Sequence, residues 1–327
     1  MSTKQIRAAG VGAGAVALAV AALGGCGGAP SPSAPTTVPP TTTTTTAAPS
    51  TTTKATPSTT STTPTTSPTT GATSPTGSTT TPTYLASMPI YFVGQTQQAF
   101  RLFREFRTIR KIDGPVSSAV SAMTRLRPLD PDYANPWRPA SRVQVGQQGK
   151  TLTVDLSADA FANRNVGSEL AALAVQQLVY TATAAAHVAG HDATSVVITV
   201  DGKPADVWGV VHLGSPMTRA PMLEVQAQAW VTSPQQGDVV PSGTVRFTGY
   251  GTSFDAVFHW EISNASGTKV AHGEAMGGSM GQYGSLTWSA RLAPGTYTVR
   301  LATDDPSGDG EHEGHGAAVD TKTFTVR

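Results

Sequence analysis

The chain has 327 residues and a formal net charge of +1, so it lacks the basic excess that a nucleic-acid binder needs. Only 13% of its residues are charged and 6% aromatic, and one biased segment accounts for much of that poverty. The single cysteine excludes an intrachain disulfide, so any folded part must rely on its core.

Lys4 and Arg7 open the chain and precede an uncharged, Gly/Ala-rich stretch at 8–23. At about 16 residues it falls short of the about 20 that a membrane-spanning helix needs. It ends in Leu23-Gly24-Gly25-Cys26, which resembles the bacterial lipoprotein box. That resemblance makes residues 1–25 a lipoprotein signal peptide. It implies cleavage before Cys26, a diacylglycerol thioether on its sulfur and a further acyl chain on the freed amine. Two or three such chains, at about 0.8 kcal/mol per buried methylene, make a permanent anchor. An ordinary secretory signal with a chance cysteine is the weaker reading, because Cys26 is the only cysteine and stands where the box requires it.

Residues 26–83 form a stalk. From 29 to 83 the chain is almost entirely Thr, Pro, Ser, Ala and Gly, with Lys54 its only charge. Such a composition cannot bury enough apolar surface to offset chain entropy, so it predicts disorder with a polyproline II bias. At about 3.1 Å per residue, roughly 55 residues reach on the order of 170 Å when fully extended. The mucin-like composition also makes O-mannosylation an expectation. An intact mass without hexose increments would refute it.

A first globular domain is placed at 86–221. Strands are expected at 89–93 and 99–111. The second carries Arg101, Arg104, Arg107, Arg110 and Lys111 against Glu105 alone. The preferred reading is an exposed strand edge guarded by charge. Its rival, a docking patch for an acidic partner, nominates Arg101, Arg104, Arg107 and Arg110. Gly114-Pro115 opens a helix to about 126, followed by a Pro-rich loop at 127–140 holding Tyr133 and Trp137. Val143 and Val145 pair with Leu152 and Val154 across a turn at 146–149. The strand at 151–156 alternates at period two. Ser168 then stands as an N-cap, with Glu169 in the first turn of a long Ala-rich helix. Gly190 stops that helix. The run at 195–200 reads as a strand buried on both faces or nearly so, and 207–211 as an edge strand.

This order resembles the GerMN domain, found in spore-germination and sporulation lipoproteins and in many actinobacterial ones. The residues that carry the resemblance are Tyr91-Phe92-Val93, the Arg-rich strand, Gly114-Pro115, Asp130-Pro131-Asp132-Tyr133, Pro136-Trp137, Val154-Asp155-Leu156-Ser157 and Val197-Ile198-Thr199-Val200-Asp201-Gly202. It implies an α/β fold used for assembly at the cell envelope, without an enzyme site.

From 224 to 327 the pattern becomes all-β. Short strands are expected at 225–231, 244–250, 254–263, 268–273, 285–292, 295–303 and 322–326, punctuated by Gly and Pro. About seven such strands argue an immunoglobulin-like sandwich. With no inter-sheet disulfide, Trp260 and Trp288 are expected to fill its core. Ser233-Pro234, Val245 to Gly249, Phe258 to Glu261, Gly273 and the closing Lys322 to Val326 resemble the Gmad2 module, the immunoglobulin-like domain of bacterial spore-germination proteins. The fold class is therefore α+β, an α/β sheet-and-helix domain followed by an all-β sandwich, each expected to have its own core.

Candidate chemistry is sparse. His187 and His191 stand four apart, but the Glu of HExxH is missing and Gly190 falls between them. The segment Asp309-Gly310-Glu311-His312-Glu313-Gly314-His315 holds potential metal ligands, yet reads more simply as a solvated loop. No G-x-S-x-G elbow occurs. We expect no catalytic residue, cofactor or metal. The reading is a non-enzymatic, extracytoplasmic lipoprotein that is membrane-anchored and docks proteins or wall polymers, with weak self-association. A small-ligand or glycan receptor is the alternative, and a wall-modifying enzyme the third.

Overall fold

Residues 81–97, 99–304 and 316–327 are described in the computed structural model. The expected signal peptide, Cys26 and nearly all of the expected stalk lie outside the described residues, as does the acidic segment 309–315. Strands β1 (Tyr84–Gln95) and β2 (Phe100–Arg110) form an antiparallel pair in which Tyr91 faces Arg104. Helix α1 (Pro115–Arg125) follows, with Pro115 in its first turn, where a missing N–H costs nothing. A short β3 (Tyr133–Ala134) joins the far side of β1.

A second sheet is built from β4 (Val143–Gln148), β5 (Thr151–Leu156) and β6 (Ser195–Val200). The β4–β5 hairpin turns in two residues, Gly149-Lys150, rather than the four expected. Gly149 takes the left-handed conformation there, with φ +57. Val145 thus meets Val154 as foreseen, but Val143 meets Leu156 and Leu152 meets Gln147. A 3-10 turn (Ala158–Phe161) precedes α2 (Ser168–Val188), which crosses over to bring β6 parallel to β5. Gly167, not Ser168, is the N-cap, and no side chain caps the helix start. Gly190 does end it: the His191 N–H reaches Ala186 O at 2.9 Å and Gly190 N–H reaches His187 O at 3.0 Å, a Schellman closure.

Alanines let α2 lie close to its neighbours, and two buried polar side chains use that closeness. Gln177 donates to Tyr91 O at 2.8 Å, and Thr181 Oγ1 accepts from Tyr91 N–H at 3.2 Å. The helix therefore satisfies the flank of β1 where no strand pairs. Strand β6 buries Val196 and Ile198 fully but Val197 and Thr199 only in part, so one face is less enclosed than expected. The segment read as an edge strand makes its own small hairpin, β7 (Asp206–Val207) with β8 (Val211–His212). The strand that edges β6 is β9 (Pro216–Thr218).

The strand expected at 225–231 begins later, as β10 (Ala229–Ser233), and Val225 instead closes one helical turn, α3 (Met222–Val225). β11 (Val239–Val240), β12 (Gly243–Ser253), β13 (Val257–Asn264), β14 (Lys269–Met276), β15 (Gly278–Ser279), β16 (Gly284–Leu292), β17 (Gly295–Ala302) and β18 (Val319–Val326) complete two sheets. One contains β10, β12, β15 and β16, the other runs β11-β18-β17-β13-β14. Phe247, Phe258, Ile262, Leu301 and Phe324 are buried between them. Trp260 and Trp288 stack 6.2 Å apart, each less than a tenth exposed, as expected for a sandwich without a disulfide. Gly273 makes room: a Cβ there would stand 2.7 Å from the Trp260 ring. The two domains form one compact unit, and Trp230 of β10 packs in the first domain's core.

Candidate functional site

The densest chemistry lies where the two domains meet. Along β18 the period of two puts Asp320, Lys322, Phe324 and Val326 on the inward face. Phe324 and Val326 enter the sandwich core, while Asp320 and Lys322 reach the first domain. Lys322 Nζ donates to Asp130 Oδ2 and Tyr133 Oη at 2.6 Å, and contacts both Asp320 oxygens at 2.6 and 2.7 Å. Tyr133 Oη donates to Asp320 Oδ1 at 2.7 Å, and Val231 N–H donates to Asp320 Oδ2 at 2.7 Å. The charged side chains are almost wholly buried. Burial pushes the Asp320 carboxyl up, opposed by Lys322, and pushes the Tyr133 phenol well up.

Of the arginines of β2, Arg107 supports this joint. Arg107 donates to Glu105 at 2.8 Å and to Arg127 O at 3.0 Å. Glu105 accepts from the Leu129 and Asp130 N–H groups at 2.8 and 3.1 Å, which fixes the loop that carries Asp130. Burial raises the Glu105 carboxyl, against these bonds and Arg107. The Arg104 guanidinium lies 4.9 Å over Phe106, 5.4 Å from the Tyr250 ring and 6.0 Å from the Trp230 ring. Arg104 and Arg107 thus make contacts within the molecule, and both are half-buried. Arg101 is half-buried and Arg110 exposed. The guarded-edge reading is corrected. Ala227 N–H donates to Leu102 O at 3.1 Å, and the Gln235 amide exchanges bonds of 2.6 and 2.8 Å with Phe106 N–H and O. The outer edge of β2 is covered.

His187 and His191 occupy the end of α2 and the loop beyond it, both exposed, and no metal-ligand cluster occurs among the described residues. A second ion cluster closes one end of the first domain. Arg142 bridges Asp155 and Asp201, and Asp155 also accepts from Thr199 at 2.7 Å and Gly202 N–H at 2.7 Å. Sequence reading singled out neither cluster as a site. The inward face of β18 was the available signal for Asp320 and Lys322, because charges in phase with Phe324 and Val326 must find buried partners.

An α/β module clamped to an immunoglobulin-like sandwich by buried charge defines a tandem, two-domain architecture. Residues 89–206 match the family described as sporulation and spore germination (Germane), and residues 228–311 match the immunoglobulin-like domain of bacterial spore germination (Gmad2). The chain therefore carries both germination-type domains in that order. No curated protein matches it. Among solved structures, CopC from Methylosinus trichosporium OB3b is 23% identical with a TM-score of 0.21, covering 30% of this chain and 92% of its own. A putative lipoprotein from Clostridium perfringens is 15% identical with a TM-score of 0.29, covering 44% of this chain and 93% of its own. Similarity at that level carries no functional argument. No helix among the described residues is long and apolar enough to cross a membrane.

Proposed function

We propose that this protein is a non-enzymatic lipoprotein of the cell envelope, held at the membrane through Cys26 and presenting its two domains as one docking body. The observation that supports this reading is the Lys322–Asp320–Asp130–Tyr133 joint. Its polar groups satisfy one another and fix the two domains in one arrangement, which lowers the ordering cost of engaging a partner. The partners are envelope proteins or wall polymers, and association is weak and salt-sensitive, with self-association included. The cations that still face outward on β2 and just beyond it are Arg110 and Lys111.

Two measurements test this. Cys26→Ala should abolish incorporation of labelled fatty acid and leave an unprocessed precursor. Continued labelling would remove the anchor from the proposal. Crosslinking in cells should yield complexes that weaken as salt rises and diminish when Arg110 and Lys111 become Glu. Crosslinking that is absent, or indifferent to both salt and those changes, would remove docking through this rim.

A further inference from the structure

A groove of about 650 Å³ runs between the end of α2, β9 and the Tyr91–Arg104 side of the β1–β2 pair. That size falls in the range of about 300–1,000 Å³ typical of small-ligand sites. Tyr91 and Phe106 give it an apolar wall, and Arg104, Arg219 and His187 line it, with no Asp or Glu among the lining residues described. Arg219 is held in place: Nε donates to Thr183 Oγ1 at 2.7 Å, a terminal nitrogen donates to Tyr180 O at 3.3 Å, and the guanidinium lies 4.7 Å over the Tyr180 ring. Arg104 is held by rings alone, and its Nε is buried with no hydrogen-bond partner among the described residues. Neither arginine has an ion-pair partner among those residues.

Two guanidinium groups in a concavity without carboxylates focus positive potential there. The planar guanidinium matches a carboxylate, and the ring wall suits an apolar body. We propose that this groove binds a small organic acid, its carboxylate directed to Arg104 and Arg219 and its apolar part against Tyr91 and Phe106. The inference is independent of membrane attachment and of docking.

The test is a titration of the full-length chain with benzoate, acetate and inorganic phosphate, following the Nε–Hε signals of Arg104 and Arg219 by NMR. Benzoate should give saturable shifts and bind about tenfold or more tightly than acetate or phosphate. Arg219→Gln should weaken benzoate binding by about tenfold or more. Because Arg219 also ties α2 to the segment after β9, a second variant is needed. Thr194→Glu, at an exposed rim position, adds a repelling carboxylate without touching a packed side chain, and should weaken binding by a similar factor. Shifts that stay linear, equal affinity for the three anions, or parental benzoate binding in a folded Thr194→Glu variant would each overturn the proposal.

Discussion

Two clusters in this molecule contain the same charges, one cation and two aspartates, and differ in nearly every physical respect. Lys322 with Asp130 and Asp320 has side chains 4%, 2% and 4% exposed and spans two domains. Arg142 with Asp155 and Asp201 has side chains 37%, 13% and 57% exposed and stays within one. In water, Coulomb attraction is screened and the side chains remain satisfied when parted. In the interior each charge has lost its hydration and depends on its partners. The same composition is therefore an optional brace at the surface and an obligatory fastening inside. A buried cluster need not be more stabilising than apolar packing, but it accepts only one arrangement of its partners.

The largest expected effect breaks the fastening. Lys322→Ala leaves two buried carboxylates without their cation and should cost about 3–5 kcal/mol in urea unfolding. A loss under about 1 kcal/mol would mean that water enters the joint freely and that burial is not the deciding variable. Asp320→Ala should be similarly damaging, and the two changes together should fall short of their sum by about 0.5–3 kcal/mol, measured in a double-mutant cycle. Gln235→Ala removes both bonds to the Phe106 backbone and should cost about 1–3 kcal/mol, as expected for one donor and one acceptor left unmet. Arg142→Ala should cost about 1 kcal/mol or less, and that small cost should shrink further as salt rises.

The smallest effect sharpens the contrast through pH. Hydroxyls of Ser141 and Ser157 lower the Asp159 carboxyl from 3.8 to about 2. A depressed value means stability that is present above 3.8 and lost as pH falls toward 2. Asp159→Asn should flatten the dependence of the melting temperature across that window, slightly, because the group is exposed. Glu105 shifts the other way, chiefly through burial, so its cost grows as pH rises through its ordinary 4.5 and levels off above its raised folded value. Glu105→Gln should therefore flatten the limb above 4.5, and matching slopes in the two variants would contradict these environments.

Much of this architecture was legible locally. The alternation in β5, β12, β16 and β18, the uninterrupted α2 and the left-handed Gly190 all speak through neighbours in sequence. What was illegible depends on residues far away. Arg104 looks free in its strand because the rings beside it, Trp230 and Tyr250, lie well over a hundred positions later. Met222 to Val225 form a helical turn because the chain must redirect to run beside Leu102, a demand that their own pattern does not contain. Lys322 and Asp130 are separated by 192 positions, so the cluster exists only once both domains are in place.

The sealing of the first sheet has a consequence for life at high local concentration. Its β2 side is occupied by Gln226, Ala227 and Gln235, and the open flank of β1 at Tyr91 is met by Gln177 and Thr181. Copies at high local concentration collide often, and an unpaired strand would recruit a neighbour's backbone into polymer or exchanged dimer. Here that invasion must first displace side-chain amides and a hydroxyl that already occupy the backbone groups. Crowding can then raise the rate of encounter without turning encounter into irreversible polymerisation through that sheet.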